Sequence, residues 1–133
     1  MQLLTLGLNH RTAPVDVRER VSFSREELRS GLMNLGEYDG LSGLVVLSTC
    51  NRTELYASVD ESAAGAQALR QFLNDLAQGG DDLDEYLYTY TDDEAIRHLF
   101  RVSSSLDSLV LGEGQILSQV KEAYAIAREA GAT

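Results

Sequence analysis

The run Ser48-Thr49-Cys50-Asn51-Arg52-Thr53-Glu54 sets the only thiol of the chain among hydroxyls, beside a cation and four residues before a carboxylate. A thiolate is the reactive form of cysteine, and a neighbouring guanidinium favours it electrostatically. The opposing reading is a small apolar filler at a strand end, because a free cysteine is most often buried. The polar surroundings weaken that reading. The sequence holds two histidines, His10 and His98, and either could serve Cys50 as acid or base or play a structural part. A metal site would require Cys50, His10 and His98 to converge without any closely spaced ligand pair, and it is set aside. Gly112-Glu113-Gly114 follows the apolar Leu109-Val110-Leu111, but Leu117 stands where a dinucleotide-binding turn needs its third glycine. Glu113, Gln115 and Gln119 instead gather polar groups at the start of a helix, whose free amides can meet an anion. Asn51-Arg52-Thr53 also spells a glycosylation acceptor, which is incidental in a chain without an export signal.

These residues need a frame. Residues 2–9 alternate as a strand. Ser24 and Glu27 form a capping box, with Phe23 and Leu28 as its staple. It opens a helix carrying Leu28, Leu32 and Leu35, with Gly36 placed to end it. Leu44 to Leu47 reads as a buried strand. Glu54 to Val59 alternates Leu55, Ala57 and Val59 inward against Glu54, Tyr56 and Ser58 outward. Leu69, Phe72, Leu73 and Leu76 mark a second helix, ended by Gly79-Gly80, and Tyr86 to Tyr90 alternates as a strand after a loop over 79–85. The order β-α-β-β-α-β predicts an α+β fold. It is the ferredoxin-like split βαβ sandwich, an antiparallel four-stranded sheet with two helices on one face. A second box, Thr91 with Glu94, opens a helix with an Ile96, Leu99, Phe100 and Ser103 stripe, and a last helix carries Ile116, Val120, Tyr124 and Ala127. We therefore divide the chain into a ferredoxin-like part, residues 1–90, and a helical extension, residues 91–133.

With 133 residues, 44% apolar and 24% charged, the chain can close one core, and its single Pro, single Cys and 11 Gly exclude collagen-like and disulfide-stapled classes. The longest strongly apolar run is far shorter than the roughly 20 residues a membrane span requires. The absence of a basic stretch before the first strand, and of any second cysteine, fits a cytosolic chain. The net charge of -10 is unevenly placed: residues 60–94 hold ten acids and only Arg70, while residues 1–36 hold five arginines and four acids. A polyanion would avoid the first segment and approach Arg18, Arg20, Arg25 and Arg29, or the rim of Cys50.

Three stretches together resemble one family. They are Leu8-Asn9-His10-Arg11-Thr12-Ala13-Pro14-Val15, Leu47 to Glu54, and Leu106-Asp107-Ser108-Leu109-Val110-Leu111-Gly112-Glu113 with Gln115-Ile116-Leu117 after it. They resemble, in order, the N-terminal catalytic domain of glutamyl-tRNA reductase. The resemblance implies NADPH-dependent reduction of glutamyl-tRNA to glutamate-1-semialdehyde, the first committed step of tetrapyrrole (porphyrin) biosynthesis by the five-carbon route. It makes Cys50 the nucleophile that forms a thioester with the glutamyl group, and His98 the histidine that supports activity. Thr49, Asn51, Arg52, Ser108, Glu113, Gly114, Gln115 and Gln119 fall on substrate-contact positions, and Glu54 lies in the Cys50 motif. Gly114 departs from the family, many of whose members have proline there. The resemblance further implies an NADPH-binding domain and a helical dimerisation domain beyond Thr133, a cytoplasmic homodimer, and product hand-over to glutamate-1-semialdehyde aminomutase.

The chemistry agrees, because a thiolate attacks an activated ester and the resulting thioester accepts hydride more readily than an ordinary ester does. Arg52 would take a substrate carboxylate, and Glu54 or Glu113 the ammonium. The alternative is a non-catalytic ferredoxin-like module binding a small ligand or a protein, which would have no use for an exposed thiol.

Overall fold

In the computed structural model, which describes residues 2–79, 82–103 and 115–133, four strands form one antiparallel sheet. Strand β1 spans Gln2–Asn9, β2 Leu41–Ser48, β3 Arg52–Val59 and β4 Tyr88–Thr91, and their order across the sheet is β2-β3-β1-β4. Helices α1 (Val15–Arg20) and α2 (Arg25–Met33) join β1 to β2, and α3 (Ser62–Leu76) joins β3 to β4. Helices α4 (Asp93–Ser103) and α5 (Gln115–Glu129) follow.

Strand parity decides what each face buries. Leu4, Leu6 and Leu8 of β1, Leu44 and Val46 of β2, and Leu55, Ala57 and Val59 of β3 all enter one core. There they pack with Leu28 and Leu32 of α2 and Leu69, Phe72 and Leu73 of α3. Gly65 of α3 permits this approach, since a Cβ there would come 2.7 Å from Val59. Glu54 and Tyr56 of β3, Thr5 and Gly7 of β1, and Tyr88 and Tyr90 of β4 have the opposite parity and share the other face.

The expected capping box is present: Ser24 Oγ accepts from the Glu27 amide at 3.1 Å, and a Glu27 carboxylate oxygen accepts from the Ser24 amide at 3.0 Å. Helix α2 ends earlier than expected, at Met33, and Gly36, expected to end it, lies inside a 3-10 turn over Leu35–Glu37 that buries Leu35. Short helix α1 has no counterpart among the sequence expectations. It follows Pro14, whose fixed backbone suits a helix start, but with six residues it shows too little periodicity to be read. Strand β4 begins at Tyr88 rather than Tyr86, because Asp84–Tyr86 forms a 3-10 turn.

The largest correction concerns the second face. Glu54, expected to point outward to solvent, is 0% exposed, because α4 lies over that face. Helix α4 starts at Asp93, after Asp92 at φ 47°, and it buries Ala95, His98 and Val102. The Ile96 and Phe100 expected in its stripe are 41% and 71% exposed. Positions 95, 98 and 102 do satisfy helical spacing, and a histidine in that set conceals it from a search for apolar residues. Among the described side chains of α5, Ala123, Ile126 and Ala127 are buried and Tyr124 is exposed, while the expected Ile116 lies outside them. Helix α5 runs along β2 and touches both α2 and α4, and the Leu44 amide donates to the Ala132 carbonyl at 2.7 Å. Helix α4 thus covers part of the second face of the sheet and α5 lies along its β2 edge.

Candidate active site

Cys50 sits on the tight turn between β2 and β3 and is exposed, as expected. The turn is built by Thr49, whose hydroxyl oxygen accepts from the amides of Asn51 and Arg52, both at 3.2 Å, while the Thr49 amide donates to the Arg52 carbonyl at 2.8 Å. A guanidinium nitrogen of Arg18 in α1 donates to the Cys50 carbonyl at 3.3 Å. The base of the hairpin is tied to the α1–α2 junction: Thr53 Oγ1 donates to the Val21 carbonyl at 2.8 Å, and the Phe23 amide donates to Ser48 Oγ at 3.1 Å. The thiol therefore projects from a turn fixed on both sides.

Two residues further along β3 the chain enters a buried polar cluster. Arg52 and His98 are each 2% exposed. A guanidinium nitrogen of Arg52 lies 3.5 Å from Glu54 Oε1, and His98 Nε2 bonds to Glu54 Oε2. The hydroxyl of Tyr56 donates to Oε1 and that of Tyr88 to Oε2, both at 2.5 Å. Burial alone would raise the pKa of Glu54. The hydrogen bond and charge of His98, the charge of Arg52 and the Tyr56 hydroxyl outweigh it and hold the carboxyl below the usual range. Burial, together with the adjacent Glu54 charge, pushes the Tyr56 phenol up, so it stays a donor. The imidazole of His98 is stacked on Tyr90, ring centres 4.7 Å apart, and meets Tyr88 edge-on at 5.5 Å.

This arrangement makes stability depend on pH with a definite sign. Unfolded chains protonate glutamate near pH 4.3, whereas folded Glu54 holds its charge to lower pH, so the unfolded state binds more protons in that window. The Glu54 contribution is present above about pH 4.3 and is lost as pH falls through the lowered folded value. Urea denaturation midpoints of the native chain should drop more steeply below about pH 4.3 than those of Glu54→Gln; equal slopes would contradict it.

The structure thus brings Arg52, Glu54 and His98 together and places Thr49, Cys50 and Asn51 on the turn. No hydrogen bond joins Cys50 to His98 among the described residues. Glu54 is spent on four side chains inside the domain, which removes it as the partner of a substrate ammonium. Gln119 is half-buried on α5 and His10 half-buried after β1, while Ser108, Glu113, Gly114 and the side chain of Gln115 lie outside the described residues. Of the arginines expected to meet a polyanion, Arg18 holds the Cys50 turn, and Arg25 pairs with Glu122 and, at 2.9 Å, with Glu129. Tyr56, Tyr88, Tyr90 and Arg18 were missed. The signal for the tyrosines was parity, since Tyr56 shares its strand face with Glu54, and Tyr88 and Tyr90 alternate on β4.

Among the described residues no helix is long and apolar enough to cross a membrane, and no three metal-ligating side chains gather. NADPH does not fit the described residues. Among the described residues every strand is antiparallel to its neighbours, so no adjacent parallel pair joined by a helix forms a dinucleotide-binding turn.

Fold and site together define an α+β domain that presents a thiol on a hairpin beside a buried carboxylate–imidazole pair. Residues 6–133 match the family model described as glutamyl-tRNA(Glu) reductase, N-terminal domain. The chain is 55% identical over 131 residues to a glutamyl-tRNA reductase of Stenotrophomonas maltophilia, covering 98% of this chain and 29% of that protein. It is 50% identical over 136 residues to one from Moorella thermoacetica, covering 100% of this chain and 30% of that protein. The solved structure of glutamyl-tRNA reductase from Methanopyrus kandleri superposes with a TM-score of 0.72 at 37% identity, covering 98% of this chain and 29% of that one. The chain belongs to the glutamyl-tRNA reductase N-terminal domain family. It spans under a third of the length of these relatives.

Proposed function

We propose that this chain is the thioester-forming part of a glutamyl-tRNA reductase, an oxidoreductase of tetrapyrrole biosynthesis. The observation that carries the reading is the exposed thiol on a braced turn, two residues from the buried Arg52 that leads to Glu54 and His98. In this reading the Cys50 sulfur attacks the glutamyl ester carbon, tRNA leaves, and the glutamyl group stays on the enzyme as a thioester. In this reading Thr49, Asn51, Arg52, Ser108, Glu113, Gly114, Gln115 and Gln119 contact the substrate, and His98 supports the reaction. Reduction to glutamate-1-semialdehyde is assigned to the longer protein, whose NADPH-binding part, dimerisation and hand-over to an aminomutase in the cytoplasm are carried by residues other than these. The strand order and the helices after β1 and β3 support a ferredoxin-like split βαβ unit over residues 1–90, with residues 91–133 as the extension that closes the site.

Incubating the chain with glutamyl-tRNA, then quenching and measuring intact mass, should show one glutamyl group on the protein, removable by hydroxylamine. Persistent absence of an adduct, with the thiol intact and reactive to iodoacetamide, would favour the non-catalytic binding module. A companion result is expected with cofactor: adding NADPH to this chain should change neither the adduct nor the slow release of free glutamate. Glutamate-1-semialdehyde formed by the native chain and missing from a Cys50→Ser preparation would mean that a dinucleotide site exists here.

A further inference from the structure

We infer that His98 meets the substrate through Nδ1, and that Glu54, gripped by Tyr56 and Tyr88, fixes that choice; the inference rests on the thioester reading above. An ionised carboxylate only accepts hydrogen bonds, so the nitrogen of His98 that faces it must carry a proton. That nitrogen is Nε2. Both phenols donate to the same carboxylate, one to each oxygen, and Arg52 adds its charge, so the acceptor cannot turn away. The ring is held from two further sides by Tyr88 and Tyr90. What remains is Nδ1, which is buried and has no hydrogen-bond partner among the described residues. A buried polar atom left in this way is costly unless something else fills the position. His98 also forms part of the wall of an open pocket of about 520 Å³, together with Asn9, Arg11, Thr12, Tyr88, Tyr90 and Arg101. The pocket is at the Cys50 end of the sheet, since Asn9 pairs with Arg52.

Chemistry gives the free nitrogen a task. When the Cys50 sulfur forms its bond to the glutamyl carbon, the ester C–O bond breaks and the ribose oxygen departs needing a proton. The thiol proton has already left to solvent. His98 in its charged form gives the Nδ1 proton to the ribose oxygen, keeps Nε2–H on Glu54, and recovers a proton from water in the pocket. A carboxylate behind an imidazole, setting its tautomer and stabilising its charged form, is a known way of preparing such a group. His98 is the catalytic residue here, and Glu54, Tyr56 and Tyr88 are positioning residues.

Among the described residues, the ionisable groups around the ring are Arg52, Glu54 and Tyr56 on β3, Tyr88 and Tyr90 on β4, Arg11 after β1, and Arg101 on α4. Replacing either phenol leaves the carboxylate more negative towards the ring, which favours the charged imidazole. The test uses the chain with 15N-labelled histidine. Side-chain NMR at a pH where the ring is neutral should show Nε2 protonated and Nδ1 bare. In rates of glutamyl adduct formation, Tyr56→Phe and Tyr88→Phe should move the alkaline limb of the pH profile upward. Glu54→Gln should move it downward and slow the reaction about 10- to 100-fold. The Phe variants keep the ring packing, and unchanged iodoacetamide reactivity of Cys50 would show that the turn is intact. A neutral ring protonated at Nδ1, or an unmoved limb in the folded Phe variants, would overturn the inference. Failure of the native chain to form an adduct would count against the thioester reading, while the tautomer measurement would still decide the assignment of Nδ1.

Discussion

Cys50→Ser should give no detectable glutamyl adduct from glutamyl-tRNA, while His98→Asn should retain the adduct and form it about 100-fold more slowly. The two differ because of what each group supplies. A thiol is a few per cent ionised near neutral pH and is strongly nucleophilic, whereas a serine hydroxyl needs an adjacent base. Among the described residues no hydrogen bond from His98 reaches residue 50, and the turn brings to it Thr49, Asn51 and the Arg18 contact to its carbonyl, none of which is a base for a serine. Losing His98 removes proton delivery to the leaving group but leaves the nucleophile in place. Quenched-flow sampling with intact-mass detection reads both rates. Equal adduct formation by Cys50→Ser would falsify the nucleophile assignment, and an undiminished rate in His98→Asn would make the histidine purely structural.

The second large effect is expected at Gly7→Ala. Gly7 lies in the middle of the sheet, opposite Glu54 on one neighbour and Tyr88 on the other. A Cβ there would come 2.7 Å from the Thr53 carbonyl oxygen and 2.8 Å from Glu54 Cγ, with Glu54 Cα at 3.1 Å. The carbonyl and the Cα belong to the backbone of the central pair, so β1 and β3 would have to separate. Overpacking of this kind costs about 1 to 3 kcal/mol. The nearest side-chain atom is a methylene carbon of Glu54, whose carboxylate holds His98, and adduct formation should slow as well. Urea denaturation and the adduct rate, measured together, test both. A variant within about 0.5 kcal/mol of the native chain, at native rate, would show that the sheet yields there without consequence.

Much of this was readable from residue order. The Ser24 and Glu27 capping box is a local device, complete within four residues, and it appears in the fold as read. The exposed thiol followed from a short polar run between two apolar strands. The polar cluster was another matter. Glu54 read as outward because alternation reports two faces of a strand without saying what covers the second. The cover is α4, whose buried set of Ala95, His98 and Val102 contains one small residue and one imidazole and so carries little hydrophobic signal. Tyr56 and Tyr88 are 32 positions apart and both donate to the carboxylate between them, a long-range coincidence that no local pattern contains. The α1 clamp on Cys50 escaped for the same reason, since Arg18 and the turn are far apart in the chain.

The hydrogen bond from the Leu44 amide to the Ala132 carbonyl bears on how molecules meet one another at high concentration. Strand β2 borders the sheet and is rich in β-branched and leucine residues, the kind of border along which separate molecules stack into aggregates. The chain running back from α5 occupies that border like a lid on an adhesive strip. The opposite border is β4, whose four residues Tyr88-Thr89-Tyr90-Thr91 make a short and polar template. One border is met at Leu44 by the chain after α5 and the other is only four residues long, which steers association away from sheet extension.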